Sequence, residues 1–223
     1  LNMLKPKRKI IREEIKRDPF LETIDKLENS FEKNKKTAIN IALGLLVVIF
    51  VVNFLFKKQT QKNIDSNSSL GVAMVAFENG DYENAKFQFE TIIADFSGTS
   101  ALNISRFYLG KIHFENNEFG KSEKFLDLFL KAGDPQILCL GAIKMLVDIA
   151  LNNNEYDKAI KLLDDGSKKV SKNDSIELKL IKANILIKQG KTDLVKVLID
   201  ELEAVEKLPQ HLNQEKEVII GMM

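Results

Sequence analysis

The pattern of apolar and polar residues divides the chain into one long apolar run and a series of amphipathic segments. Residues 38–56 form the run AINIALGLLVVIFVVNFLF, which has 19 residues and no charge. Its strongly polar side chains, Asn40 and Asn53, are near the ends. A helix of this length spans roughly 28 Å, close to the ~30 Å hydrocarbon core of a bilayer. The pattern therefore predicts a transmembrane helix over residues 38–56.

The same run differs from a cleaved signal peptide. It is longer than the usual apolar core of about 7–15 residues. Thirty-seven residues precede it, and the LFKKQTQKN stretch at its end offers no small-x-small cleavage motif. We therefore expect the run to remain in the chain as a signal anchor.

Basic residues are more numerous before the apolar run than after it. Those before it are Lys5, Lys7, Arg8, Lys9, Arg12, Lys16, Arg17, Lys26, Lys33, Lys35 and Lys36. Those that follow closely are Lys57, Lys58 and Lys62. Because basic flanks tend to stay in the cytoplasm, we expect residues 1–37 to be cytoplasmic and the C-terminal part to be translocated.

Residues 1–37 also contain an amphipathic pattern. The apolar positions that carry it are Phe20, Ile24, Leu27 and Phe31. Their three- or four-residue spacing, after a proline suited to a first turn, is typical of one face of a helix. We expect a helix over Pro19–Lys36 that lies at the membrane surface or continues into the spanning helix.

After the apolar run the sequence repeats itself. Four turn signals recur, Asn79-Gly80-Asp81-Tyr82, Asn116-Asn117-Glu118-Phe119, Asn153-Asn154-Glu155-Tyr156 and Gln189-Gly190-Lys191-Thr192. Counted at Gly80, Asn117, Asn154 and Gly190, the intervals are 37, 37 and 36 residues. A fixed period of this size is typical of a solenoid of stacked supersecondary units.

Each turn lies between two apolar-periodic segments, which predicts a helical hairpin. Asn and Gly suit a left-handed residue between antiparallel helices. The aromatic residue after the turn (Tyr82, Phe119 or Tyr156) is expected to wedge between the helices, and the small residue after it (Ala85, Ser122 or Ala159) to permit a close crossing.

The predicted fold class is all-α, with one N-terminal transmembrane helix and a helical-hairpin solenoid of about four repeats. The repeat domain is expected over residues 70–208. Residues 57–69 before it are a linker or a helix extension, and residues 209–223 after it are a tail or a capping helix.

The repeats resemble the tetratricopeptide repeat over about 140 residues. Leu109-Gly110, and the Asn-Glu-Phe or Asn-Glu-Tyr turns followed by Ser or Ala, match its pattern. The period exceeds the ordinary 34 residues, and the last unit has Thr192 for the aromatic residue and Val195 for the small one. A degenerate last repeat is expected of a capping unit.

Composition adds little that points to a charged partner. The net charge is +1 with 29% charged residues, so no overall field attracts nucleic acid, and we expect no nucleic-acid partner. The single cysteine, Cys139, excludes an internal disulfide and lies in an apolar run. We expect it to be a buried, inert thiol.

The repeats offer no residues clustered for chemistry. His113 and His211 have no ligand-spaced partners, and His113 is expected to be a hydrogen-bonded core histidine. Gly120-Lys121-Ser122 lacks the leading glycine of a phosphate-binding loop, because position 115 is Glu115. The sequence therefore predicts no catalytic residue, no cofactor and no metal, and a protein that is not an enzyme.

A binding surface remains as the candidate site. In stacked helical hairpins the first helix of each pair lines the concave groove. The residues that this geometry places in a protein-binding groove are Leu70, Met74, Phe77, Ile104, Phe107, Lys111, Phe114, Lys144, Asp148, Leu151, Leu180, Asn184 and Ile187. An apolar lining rich in Phe and Met suits an apolar peptide or a partner helix.

The layout of a basic segment that ends in Glu32-Lys33-Asn34-Lys35-Lys36, one anchor and a TPR-like domain resembles the YfgM-like ancillary subunits of the SecYEG translocon. That resemblance implies a single-pass bacterial inner-membrane protein with a periplasmic C-terminal domain. It also implies protein partners, namely translocon subunits, a periplasmic chaperone and newly translocated clients.

Two other functions fit the same pattern. One is a structural adaptor of a cell-envelope or secretion assembly, which would hold one fixed partner helix. The other is a membrane-tethered import receptor with cytosolic repeats, which would need the reverse topology. The flanking charges weigh against the receptor.

Overall fold

A computed structural model describes residues 34–204 and 208–223, and all the regular structure within them is helical. The α-helices are α1 (Lys35–Glu78), α2 (Tyr82–Asp95), α3 (Ser100–Glu115), α4 (Phe119–Ala132), α5 (Cys139–Asn152), α6 (Tyr156–Gly166), α7 (Lys172–Lys188), α8 (Thr192–Glu203) and α9 (Gln210–Gly221). A short 3-10 helix, Gln136–Leu138, precedes α5. The predicted all-α class is confirmed. Most of the predicted helix over Pro19–Lys36 lies outside the described residues.

The chain divides into two compact units after Lys58. The described part of the first unit belongs to α1, the one described helix that is long and apolar enough to cross a membrane. The apolar side chains of residues 39–56 are exposed, including Phe50 at 72% and Phe56 at 69%. Near the end of the run, Asn53 Nδ2 donates a hydrogen bond of 3.0 Å to the carbonyl of Ile49 in the preceding turn.

Residues 59–78 of α1 belong to the second unit and form the first helix of its first hairpin. This stretch is fixed by side chains that reach the loop between α2 and α3. Gln59 Nε2 lies 3.4 Å from the carbonyl of Gly98, and Lys62 Nζ lies 3.2 Å from Ser97 Oγ. Residues 59–69 are therefore helical and hydrogen-bonded to the repeats.

The described part of the second unit contains four hairpins, the first of them formed by the end of α1 and by α2. Each hairpin turns at a residue in the left-handed conformation. The φ angles are 77° at Gly80, 58° at Asn117, 58° at Asn154 and 71° at Gly190. The next residue closes the helix end each time, as Glu118 does by donating its N–H to the carbonyl of His113 at 2.8 Å. This is the bond expected of a left-handed helix terminus. The prediction of left-handed Asn and Gly at these turns is confirmed.

The two helices of a hairpin approach closely where a small residue lies at their contact. Ala85, Ser122 and Ala159 are completely buried, and Ser122 Oγ donates a 2.8 Å hydrogen bond to the carbonyl of Gly110. The aromatic residues of the turns do not all wedge as expected. Tyr82 and Tyr156 remain 43% and 37% exposed, although the Tyr82 ring lies edge-on to Phe77 of α1 with 5.4 Å between centroids.

Three apolar clusters run through the second unit, and each joins neighbouring hairpins. The first contains residues of α1, α2 and α3, such as Ala73, Phe89 and Leu109. The second runs from α3 to α7 and includes Phe107 and Ile143. In the third, α7 and α8 pack with α9, which contributes Leu212 and Ile219. Helix α9 therefore covers the apolar end of the last hairpin, as a capping helix does.

Candidate protein-binding surface

The thirteen predicted groove residues lie on α1, α3, α5 and α7, the first helices of the four hairpins. Their exposure separates them into three groups. Half-buried are Leu70, Met74, Phe77, Ile104, Lys111, Phe114, Leu151, Asn184 and Ile187; exposed are Lys144 and Asp148; buried are Phe107 and Leu180. Eleven of the thirteen side chains therefore retain some solvent contact.

The described contacts between α1 and α3 show that these two helices run in the same direction. Lys62 of α1 meets Ser97 in the loop just before α3, and farther along both helices Phe77 meets Tyr108 with 5.0 Å between ring centroids. One turn beyond Tyr108, the ammonium group of Lys111 lies 5.3 Å from the centroid of the Phe77 ring. Phe77 of α1 therefore contacts both Tyr108 and Lys111 of α3.

Tyr108 is a surface residue that the sequence reasoning missed. Its ring meets Phe77 and Phe107 edge-on and stacks on Phe89 with 5.5 Å between centroids. Burial, and then the nearby charge of Glu78, raise the pKa of its hydroxyl, so the phenol stays neutral. The signal that could have found it is its position, four residues after Ile104 on the same helix face.

Phe107 and Leu180 were predicted to line the groove, but both side chains are buried. Phe107 is only 7% exposed and lies edge-on to Phe129 of α4 with 5.5 Å between centroids. On its other side it approaches Gly141 of α5 so closely that a Cβ there would lie 3.4 Å from the ring. Leu180 is completely buried in the cluster shared by α7, α8 and α9. Both side chains fill the core between helices.

On the third and fourth hairpins charged and polar side chains lie among the half-buried Leu151 and Ile187. Lys144 Nζ of α5 donates to Glu177 Oε1 of α7 at 2.7 Å. Asp148 lies one turn beyond Lys144, and its carboxyl pKa is raised by burial, although the Lys144 charge acts in the opposite direction. Lys144 is therefore engaged with a neighbouring hairpin, and Glu177 is a further residue that sequence reasoning did not single out.

Phe114 occupies the end of α3 and is separate from the Phe77 group. Its ring lies 5.9 Å from that of Phe119, the aromatic residue of the second turn. No described ring contact joins it to Phe77 or Tyr108. The aromatic residues of the predicted lining therefore form two separate groups, one between the first and second hairpins and one at the tip of the second.

The residues with potential for chemistry have structural surroundings. His113 is 2% exposed, stacks on Phe125 with 5.6 Å between centroids, and donates from Nδ1 to the Glu118 carboxylate. This confirms a hydrogen-bonded core histidine. Cys139 is completely buried, and burial raises the pKa of its thiol, as expected for an unreactive cysteine. Within residues 34–204 and 208–223, no group of three or more His, Cys, Asp and Glu side chains could hold a metal ion.

The chain matches a known family of repeat proteins. The model of the "tetratricopeptide repeat-like domain" family matches residues 29–209, which is 181 of the 223 residues. The matched region contains the apolar run as well as the four hairpins. A search of curated proteins found no match.

Proposed function

The chain belongs to the tetratricopeptide repeat-like domain family, and on that premise we propose that it is a non-catalytic, membrane-anchored protein-binding module. Repeat domains of this kind are typically protein–protein interaction modules, and they use extended surfaces built from successive repeats. The observation that carries the proposal is the row of partly exposed apolar side chains on α1 and α3, such as Met74, Phe77 and Ile104. These side chains are available to a partner.

Anchoring in a bilayer through residues 38–56 is supported by the exposure of that part of α1. Side chains such as Leu46 and Phe50 are 61% and 72% exposed. A run of exposed apolar side chains of this length is disfavoured in water and favoured in a hydrocarbon solvent. A bilayer is the solvent that suits both the length and the composition of the helix.

The specific role that we propose is that of an accessory factor of the Sec translocon in the bacterial inner membrane. Residues 1–37 are cytoplasmic and the repeats periplasmic, in line with the excess of basic residues before the anchor. The repeats bind translocon subunits, a periplasmic chaperone or newly translocated chains. The anchor and the repeats lie within one matched family domain, residues 29–209, and a basic segment precedes them; this layout supports the role.

Topology is the first test. Two single-cysteine variants, Lys5→Cys and the exposed Lys124→Cys, are made in a Cys139→Ala background and treated on intact spheroplasts with a membrane-impermeant maleimide. We expect labelling of Lys124→Cys without permeabilisation and of Lys5→Cys only after it. The reverse pattern would exclude the translocon role and favour a receptor with cytosolic repeats.

Partner capture is the second test. A photocrosslinking amino acid replaces Met74 or Phe114 on the surface, and Phe87 on α2, which is 64% exposed, serves as the matched control. We expect the first two positions to capture translocon subunits, a chaperone or exported chains, and Phe87 to capture much less. Capture of one fixed envelope protein instead would support the structural adaptor.

A further inference from the structure

The first two hairpins carry five neighbouring apolar or aromatic side chains on α1 and α3, all of them half-buried. We call Leu70, Met74, Phe77, Ile104 and Tyr108 the apolar patch. We propose that the apolar patch binds an uncharged, apolar segment of a partner polypeptide. This inference rests on the proposed protein-binding function and specifies which part of the surface acts and what it selects.

The apolar patch is continuous. Leu70, Met74, Phe77 and Tyr108 all pack against the same buried cluster beneath α1, α2 and α3. Along α1 the first three are spaced by four and three residues, so they form one row on one helix face. Since α3 runs parallel to α1 and Tyr108 contacts Phe77, Ile104, one turn before Tyr108, lies beside this row.

The positive charge next to the apolar patch, that of Lys111, is already paired within the protein. Lys111 Nζ lies 3.8 Å from Glu115 Oε1 and 5.3 Å from the centroid of the Phe77 ring. The Tyr108 hydroxyl, whose pKa is raised further above its ordinary value of 10.0 by burial and then by the Glu78 charge, carries no charge at neutral pH. A charged side chain placed on the patch would lose hydration without gaining an unpaired counter-charge, so the patch disfavours it.

Glu78, at the end of α1, makes no ion pair with another described residue, and its charge helps to raise the pKa of the nearby Tyr108 hydroxyl. A ligand with a basic residue beyond its apolar part could meet this carboxylate. A comparison of basic with uncharged peptides therefore distinguishes binding to the apolar patch from electrostatic attraction to Glu78.

The polar side chains of the later hairpins limit the apolar patch to the first two. Lys144 and Glu177 pair across α5 and α7, and Asp148 lies next to them. The row from Leu70 to Phe77 extends about 10 Å along α1. It matches about seven residues of a docked helix, or about three to four residues of an extended chain.

The full chain in lipid nanodiscs is tested with three fluorescein-labelled peptides of equal length. All contain the same Leu, Met and Phe residues, and the remaining positions are Gln, Asp or Lys. Binding is followed by fluorescence anisotropy, and empty nanodiscs supply the background. We expect the Gln peptide to bind at least about tenfold more tightly than the others, a difference of about 1.4 kcal/mol. Its affinity should change less than about twofold between about 50 mM and about 500 mM salt, since no ion pair is screened.

Two variants on the apolar patch, Met74→Glu and Ile104→Glu, should each weaken the Gln peptide by about tenfold or more. Phe87→Gln, on an exposed position of α2 outside the patch, should leave it unchanged. Circular dichroism verifies that each variant is folded. Because Met74 and Ile104 lie on different helices, weaker binding by both variants would show that the patch as a whole binds the peptide.

Several results would overturn the inference. They are preferred binding of the Asp or Lys peptide, equal effects of Met74→Glu and Phe87→Gln, or concentration-dependent self-association of the chain that Met74→Glu abolishes. Failure of the wider function is distinguishable. Capture of translocon partners without selection for the Gln peptide would refute the inference alone, whereas selection for it with a cytosolic repeat domain would refute the translocon role alone.

Discussion

Lys144 of α5 and Glu177 of α7 form a hydrogen-bonded ion pair, with 2.7 Å between Nζ and Oε1. The two residues belong to the first helices of neighbouring hairpins and are 33 positions apart in the chain. The pair therefore fixes one first helix against the next on the side where a partner would bind. Lys144, which the sequence predicted to contact a ligand, is instead bonded to Glu177 within the protein.

The strength of this pair can be measured by a double-mutant cycle with Lys144→Met and Glu177→Gln. The two side chains are 46% and 27% exposed, so solvent and salt screen their attraction. We expect a coupling free energy of about 0.2–1 kcal/mol in urea unfolding followed by circular dichroism. The coupling should decrease at high salt, and a coupling of zero would show that the contact does not join the hairpins energetically.

Gly110 is the position where the second hairpin tolerates no side chain. A Cβ there would lie 2.6 Å from Cδ2 and 2.7 Å from Cγ of Leu126, and Leu126 is completely buried. We expect Gly110→Ala to lower the free energy of unfolding by about 1–3 kcal/mol, because the core must shift. The control is Gly120→Ala, where a Cβ meets nothing within 4 Å. That helical substitution should be neutral or stabilise by up to about 1 kcal/mol; equal losses for both would contradict the steric explanation.

The third turn depends on a left-handed residue. Asn154 has a φ of 58°, a conformation that glycine adopts freely and that β-branched residues resist. We expect Asn154→Val to lower the free energy of unfolding by about 1–2 kcal/mol and Asn154→Gly to leave it unchanged or raise it. Asn153, with a φ of −86°, is the matched control, and Asn153→Ala should have little effect. Thermal unfolding of the four proteins in parallel gives the comparison.

The contact between His113 and Glu118 predicts a dependence of stability on pH. The pKa of the Glu118 carboxyl is lowered, first by the hydrogen bond from Lys121 and then by that from His113. A carboxyl with a lowered pKa stabilises the fold while it is ionised. The contribution is therefore complete at neutral pH and is lost as the pH falls below the ordinary value of 4.5 and through the folded-state pKa.

We expect Glu118→Gln to be less stable than the wild-type chain at neutral pH, and the difference to shrink in acid once Glu118 is protonated. Urea unfolding at a series of pH values measures both proteins. Glu115→Gln, which removes a carboxylate of the same hairpin that is 43% exposed, is the control and should show a smaller difference at neutral pH. A Glu118→Gln difference that persists unchanged in acid would argue against the charge as its cause.

The turns were predictable because their cause is local. A left-handed residue between antiparallel helices needs Gly or Asn, whatever surrounds it. Gly80 and Asn117 therefore reveal the hairpins from spacing alone, and both have positive φ in the structure. The sequence left open whether residues 209–223 form a tail or a capping helix, because the packing of α9 on α7 and α8 is a contact between separate helices and not a local feature.

The candidate surface was less predictable because its cause is not local. Phe107 and Phe114 are seven residues apart and share a face of α3, yet Phe107 is buried and Phe114 is half-buried. The difference comes from Gly141 of α5, which brings that helix against Phe107. Helical periodicity gives the direction of a side chain and does not give the distance to the next helix. The partnership of Lys144 with Glu177 depends on the same distance.

The three apolar clusters have a consequence for the order of folding. Each joins only neighbouring hairpins, and the one that runs from α3 to α7 is the most extensive. In a solenoid built from such nearest-neighbour contacts, structure nucleates where coupling is strongest and spreads outward. Amide hydrogens around Leu126 and Ile143 should therefore exchange most slowly. Those of α8 and α9 should exchange sooner, as the C-terminal end opens while the middle of the solenoid remains folded.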